Sequence, residues 1–154
     1  TRKEMSLVPA HWELMNELVL LGRETTGDPK QGGTLIIGNG DITTIKEARQ
    51  KIEETACDGI MLGRAIFGNP WLFDEKLDPS TLTLQEKLKV MVEHTYLFEK
   101  ELGDIKNFAI MKKHYKAYVN GFEGAKELRM KLMEQDSAES IEREIKTFLE
   151  TLKV

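Results

Sequence analysis

Two short apolar runs, TLIIG at 34–38 and GIMLG at 59–63, stand on either side of one helical segment. Each is too short for a helix and stops at turn residues, the pattern of a buried strand. Between them, TIKEARQKIEET (44–55) puts Ile45, Ala48 and Ile52 on one face, with Asp41, Thr43 or Thr44 placed to cap it. Strand, helix and strand in that order predict two parallel strands joined by a crossover. Upstream, HWELMNELVLL (11–21) sets Trp12, Met15, Leu18 and Val19 at helical spacing, and the Gly-, Pro- and Thr-rich stretch 22–33 reads as a loop. Downstream, RAIFGNPWLF leads into a third helical segment, where Pro70 suits a first turn.

Two strands with three helices cannot close a compact α/β core. Strands of this kind read as buried on both faces, yet each would keep an unpaired edge. Residues 1–76 are therefore expected to be the end of a larger sheet or barrel. The start at Thr1-Arg2-Lys3, without Met, fits a piece of a longer polypeptide.

After Phe73 the pattern changes. DEKLDPSTLT (74–83) is a polar linker, and the boundary is placed at 74–82. The remainder, 82–154, reads as helices at 84–102, about 105–120, 124–134 and 138–154, punctuated by Gly103, Gly121 and Gly124, with Ser137 and Ser140 available as caps. The fold class expected is thus α/β followed by an all-α domain.

No apolar run approaches the ~18 residues of a membrane span, so no membrane partner is expected. The single cysteine, Cys57, can form no internal disulfide, which fits a reducing, cytoplasmic setting, and it reads as a small buried thiol. The net charge of −4 is unevenly spread: between Ile105 and Met133 lie seven cations and two acids, a window of +5 in a chain whose remainder is −9. One basic segment in an acidic chain is either a solvated helix face or a footprint for a polyanion. Tyr115 and Tyr118 lie beside Lys112, Lys113 and Lys116, a mixture suited to RNA, where cations meet phosphates and rings stack on bases. His11, His94 and His114 are isolated in sequence without metal-ligand spacing, so no metal site is expected.

The chemistry concentrates in GNGD (38–41), between the first strand and its helix. Glycines permit positive φ and let a ligand approach backbone N–H groups, and the helix start adds the positive end of its dipole. The second strand leaves through Leu62-Gly63-Arg64, with a glycine again at the exit and a guanidinium suited to phosphate. Two consecutive glycine-bearing βα turns match the way a (β/α)₈ barrel holds phosphate after its last strands.

GNGDI (38–42) followed by CDGIMLGRAIFGNPWLF (57–73) resembles the end of the catalytic barrel of the tRNA-dihydrouridine synthases. In that family GNGD follows strand seven and GR follows strand eight, lining the phosphate end of FMN. TRKEM (1–5) with His11-Trp12 is similar to the segment after the family's H-G-R-T-R motif, and KKHYKAYVNGFEGAKELR (112–129) resembles its carboxy-terminal helical domain. The resemblance implies the C-terminal part of a TIM barrel (1–76) followed by a helical tRNA-binding domain (82–154). By matching positions, Asn39, Gly40, Asp41, Gly63 and Arg64 would contact FMN, with Asp41 accepting a hydrogen bond or capping the helix. Lys112, Lys113, His114, Lys116 and Arg129 would contact tRNA. The implied reaction is reduction of uridine C5–C6 in tRNA, with NADPH reducing FMN.

The family's proton-donating cysteine belongs to a segment expected upstream of Thr1, as does the other half of the barrel. No catalytic residue is therefore assigned to this chain, which alone is expected to be inactive. Trp71, Leu72 and Phe73 read as core between barrel and helical domain. Two other readings stay open: a different (β/α)₈ enzyme holding a phosphorylated small molecule, or a non-catalytic RNA-binding helical module with a barrel remnant.

Overall fold

The computed structural model describes residues 7–152, so TRKEM lies outside the described residues. The chain forms two compact units, divided between Ile66 and Phe67. The division falls ahead of the polar linker expected at 74–82. Its physical reason is local: Phe67 stacks on His114 at a centroid distance of 5.0 Å, and Gly68 lies so close to Ala117 that a Cβ there would be 2.4 Å from the Ala117 carbonyl oxygen.

In the first unit a 3₁₀ turn at Trp12–Leu14 runs into helix α1, Met15–Thr26. The helix takes in Gly22-Arg23-Glu24-Thr25-Thr26, which the sequence reading gave to the following loop. It stops at Gly27 (φ 84°), a backbone conformation that favours glycine. Strand β1 (Ile37–Asn39), helix α2 (Ile45–Thr55) and strand β2 (Gly59–Met61) follow. The strands pair in parallel with Ile37 opposite Gly59, Gly38 opposite Ile60 and Asn39 opposite Met61. Asp58 secures the entrance to this pair, since its carboxylate accepts from the Ile36 N–H at 2.7 Å and from Arg23 Nη2 at 2.6 Å. Those two donors hold the Asp58 carboxyl below its usual range, the Arg23 bond being the larger cause.

Two expectations for this unit are corrected. The strands are not buried on both faces: Leu35, Ile37 and Met61 are 62%, 47% and 57% exposed, because among the described residues only the other face is covered. The third helix is also missing. After β2 comes a 3₁₀ turn at Arg64–Ile66 and then turns, with Gly68 at φ 76° and Pro70 two residues on, neither compatible with a continuing helix.

The second unit is helical: α3 (Leu84–Leu102), α4 (Lys112–Tyr118), α5 (Ala125–Glu134) and α6 (Ala138–Thr151). Thr83 and Glu86 form a reciprocal capping box at the start of α3, satisfying two N–H groups that the helix cannot. Ser137 caps α6, whereas Ser140 lies inside that helix and is buried. The run expected at 105–120 is only partly α-helical, opening as a 3₁₀ turn at Phe108–Met111 with Asn107 as its cap. Leu88, Met91, Met111, Tyr115, Val119, Leu128, Leu132 and Ile141 form a fully buried core, each contributing ~1.5–3 kcal/mol by leaving water. Of the expected packing residues at 71–73, Leu72 is buried but Phe73 is 63% exposed.

Candidate functional site

The glycines of GNGD have different causes. Gly38 has no room for a side chain, since a Cβ would sit 2.7 Å from the Trp12 ring. Gly40 adopts φ 135°, a region that L-residues rarely enter. Trp12 Nε1 donates to the Gly40 carbonyl at 3.0 Å, fixing the indole under the turn. Asp41 is itself in the left-handed region (φ 56°) and is held there from both sides. Its Oδ2 accepts from the Ala10 N–H at 2.7 Å, and its Oδ1 from Arg64 Nη2 at 2.5 Å.

Asp41 therefore accepts hydrogen bonds rather than capping α2. The cap is Thr44, whose hydroxyl accepts from the Glu47 N–H, while the Glu47 carboxylate accepts from the N–H and hydroxyl of Thr43. The helix start already carries an anion of its own, which removes the free dipole end that the sequence suggested for a phosphate.

The second turn remains open. Gly63 is exposed, its φ is not in the left-handed region, and a Cβ built on it would meet nothing within 4 Å. Arg64 is held by Asp41, yet its side chain is 67% exposed and a guanidinium has five N–H donors. Arg64 also begins a 3₁₀ turn, where leading N–H groups lack intrahelical partners. Asn39, Gly40, Asp41, Gly63 and Arg64 are thus brought together around one cleft of about 480 Å³, which Ile42, Thr43, Met61 and Ala65 complete. Chemically, the cleft offers an oriented cation beside the Asp41 carboxylate, an open glycine and an apolar floor. Cys57 is 3% exposed with its Sγ 3.4 Å from the Gly59 carbonyl, and it takes no part in the cleft.

The five basic positions do not form one surface feature. Lys116 and Arg129 share a concavity of about 390 Å³ with Lys126, Met130, Met133 and Glu134. Arg129 is partly committed there, since its Nη1 donates to the Val119 carbonyl at 2.6 Å just beyond α4. Lys113 and His114 belong to an aromatic cluster instead. The Phe67 and His114 rings are stacked, 5.0 Å apart and 18° from parallel, and Lys113 Nζ lies 5.4 Å from the Phe67 centroid. His94 meets His114 edge-on at 5.0 Å, and its Nδ1 is 3.3 Å from the Tyr118 hydroxyl. The two histidines are therefore neighbours, not isolated, and burial lowers the pKa of both, favouring neutral rings.

Tyr115 and Tyr118 do not present rings to solvent. They are 0% and 7% exposed, and burial pushes the Tyr115 phenol up to about 12. Within this short helix Lys113 and Lys116 face out, Lys112 is half-buried, and the tyrosines face the core. Sequence reasoning missed Trp12, Phe67, His94 and Lys126 as neighbours of these sites. Lys126 had a signal, as part of the basic window, but the other three come near only through tertiary contacts.

Comparison with known proteins adds an independent finding. The family model described as Dihydrouridine synthase (Dus) matches residues 29–153. A Staphylococcus aureus protein named "Probable tRNA-dihydrouridine synthase" is 40% identical over 138 residues, 89% of this chain and 40% of the relative's length. A Staphylococcus epidermidis protein of the same name is 36% identical over 149 residues, 96% of the chain and 44% of the relative. In Bacillus subtilis, "Probable tRNA-dihydrouridine synthase 2" is 35% identical over 142 residues, 92% of the chain and 42% of the relative. The chain spans less than half the length of these curated relatives. With a family match covering both units, the chain belongs to the dihydrouridine synthase family.

Proposed function

We propose that this chain is the C-terminal part of an FMN-dependent tRNA-dihydrouridine synthase. Residues 7–66 are the last two βα units of its (β/α)₈ barrel, and the helical unit is its tRNA-binding domain. The observation that supports the barrel reading is the open apolar face of Leu35, Ile37 and Met61 beside a two-stranded parallel sheet. Further strands of the same barrel, supplied by the missing N-terminal half, would cover it. The chain's catalytic role is then to hold a cofactor and position RNA, because Cys57 is buried in a strand entrance and cannot act as the acid. The acid is a cysteine of the N-terminal half, and the chain alone is inactive.

The cleft residues fit the phosphate of FMN. Arg64 would donate to it, Gly63 would let it approach the backbone, and Asp41 would orient Arg64 rather than touch the anion. Gly40 and Asn39 shape the wall opposite. When bound, FMN supplies hydride transfer to the uracil ring after reduction by NADPH. On the helical unit, Lys112, Lys113, His114, Lys116 and Arg129 supply contacts to tRNA, a substrate that points to the cytoplasm. Among the described residues no helix is long and apolar enough to cross a membrane.

The test is FMN affinity, read by flavin fluorescence on the polypeptide that includes the whole barrel. Arg64→Ala is expected to weaken it roughly 10–100-fold, the scale of one charge-assisted hydrogen bond. Unchanged FMN affinity would remove Arg64 from the site. Formation of dihydrouridine in tRNA transcripts by the 154-residue chain alone would overturn the assignment of the acid to another segment.

A further inference from the structure

The helical unit places a half-exposed aromatic ring among its cations, away from where the sequence suggested one. Tyr115 and Tyr118 are core residues and can stack on nothing outside. Phe67, by contrast, stays 39% exposed although it is a large apolar ring packed on His114. Its position is constrained by the residue that follows it. Gly68 takes φ 76° and approaches Ala117 too closely for any side chain, so the backbone next to Phe67 is seated on α4. Behind it, His94 braces His114 edge-on, and His94 is in turn held by the Tyr118 hydroxyl.

Resting on the tRNA-binding reading above, we propose that Phe67, backed by His114, is a stacking platform for one unpaired base of the bound RNA, with Lys113 meeting the adjoining phosphate. A nucleotide satisfies both halves of this surface. Lys113 Nζ lies over the Phe67 ring, 5.4 Å from its centroid, and a bound nucleotide would draw that flexible side chain onto its phosphate while its base takes the ring face. The surrounding charge favours RNA over a polypeptide partner. Lys112 and Lys116 lie on the same short helix, and that helix contains no acid. Paired bases keep their faces inside the helix, so the platform selects an unstacked nucleotide. Burial, which lowers the pKa of His94 and His114, suits it by favouring uncharged rings, which pack without holding a hydration shell.

The experiment measures binding of an unmodified tRNA transcript and of a duplex RNA of similar length to the 154-residue chain. Phe67→Leu keeps the apolar volume and removes the π-face, whereas Phe67→Trp enlarges it. Leu is expected to weaken tRNA binding roughly five- to a hundredfold, with the salt dependence and the duplex affinity unchanged. Trp is expected to match or exceed the parent chain. Lys112→Glu with Lys113→Glu should instead weaken both RNAs and flatten the salt dependence by about one unit per lost phosphate contact. If the lysine variant weakens binding but Phe67→Leu does not, the platform is refuted and Phe67 is a packing residue. If neither matters, the tRNA reading of this helix fails as well. Thermal unfolding of each variant separates loss of contact from loss of fold.

Discussion

Gly38 and Gly63 make opposite predictions for the same substitution. Gly38→Ala puts a Cβ 2.7 Å from two carbons of the Trp12 ring and 3.1 Å from Ile60 Cδ1. Ordinary carbon contacts are ~3.5–4.0 Å, so the ring must retreat by about 1 Å. Overpacking of that kind costs ~1–3 kcal/mol, and a displaced indole also loses its hydrogen bond to Gly40, ~0.5–1.5 kcal/mol more. The expected loss is ~2–4 kcal/mol from the first unit. Gly63→Ala meets nothing within 4 Å at an ordinary φ, so it should change stability by less than ~0.5 kcal/mol or raise it slightly through the unfolded chain. Urea denaturation followed by Trp12 fluorescence, in a Trp71→Phe background, reads both values. On the FMN reading, Gly63→Ala should nevertheless weaken FMN binding by the whole barrel, because Gly63 lines the cleft. A Gly38→Ala chain as stable as its parent would refute the packing argument. A Gly63→Ala chain that unfolds more easily would show that this glycine serves the fold and not a ligand.

Arg129→Gln should lower the stability of the helical unit by ~1–3 kcal/mol, since it leaves the carbonyl of fully buried Val119 without its charged donor. Equilibrium denaturation followed by far-ultraviolet circular dichroism checks this, and an unchanged midpoint would mean that Arg129 is a surface cation only. The helical unit should also lose stability in acid from its histidine pair. His94 and His114 have folded pKa values lowered by burial, so below about pH 6.5 the unfolded chain takes up protons that the folded unit resists. Stability present above that pH is lost as pH falls toward the folded values, and His94→Phe with His114→Phe should flatten the slope of melting temperature against pH between about 6.5 and 5.

What the sequence made legible was whatever is fixed locally. The start of α2 and the capping box of α3 follow from Thr44 and from Thr83 with Glu86, residues within one turn of the groups they satisfy. The parallel strand pair followed from two apolar runs around one helix. The grouping of GNGD with Gly63-Arg64 was also legible, because consecutive βα turns open on one end of a sheet. Failures occurred where tertiary contacts override a local pattern. Tyr115 and Tyr118 sit among lysines in sequence, but α4 turns them toward Met91 and Leu128 in the same core. His94 and His114 are far apart along the chain and meet only because α3 and α4 pack. Glu47 cancelled the anion-binding promise of α2 by turning its carboxylate back onto the N–H and hydroxyl of Thr43.

The uneven finish of the two units has a consequence for how such a polypeptide matures. Helices α3 to α6 close a core of their own, with the last helix, α6, packing back on the first, α3. The strand pair, with Leu35 just ahead of it, leaves Leu35, Ile37 and Met61 in water. On the barrel reading proposed above, the helical unit can therefore reach its final shape without waiting for the barrel to close. The strand pair, meanwhile, is the segment most exposed to chaperone capture and to wrong partners.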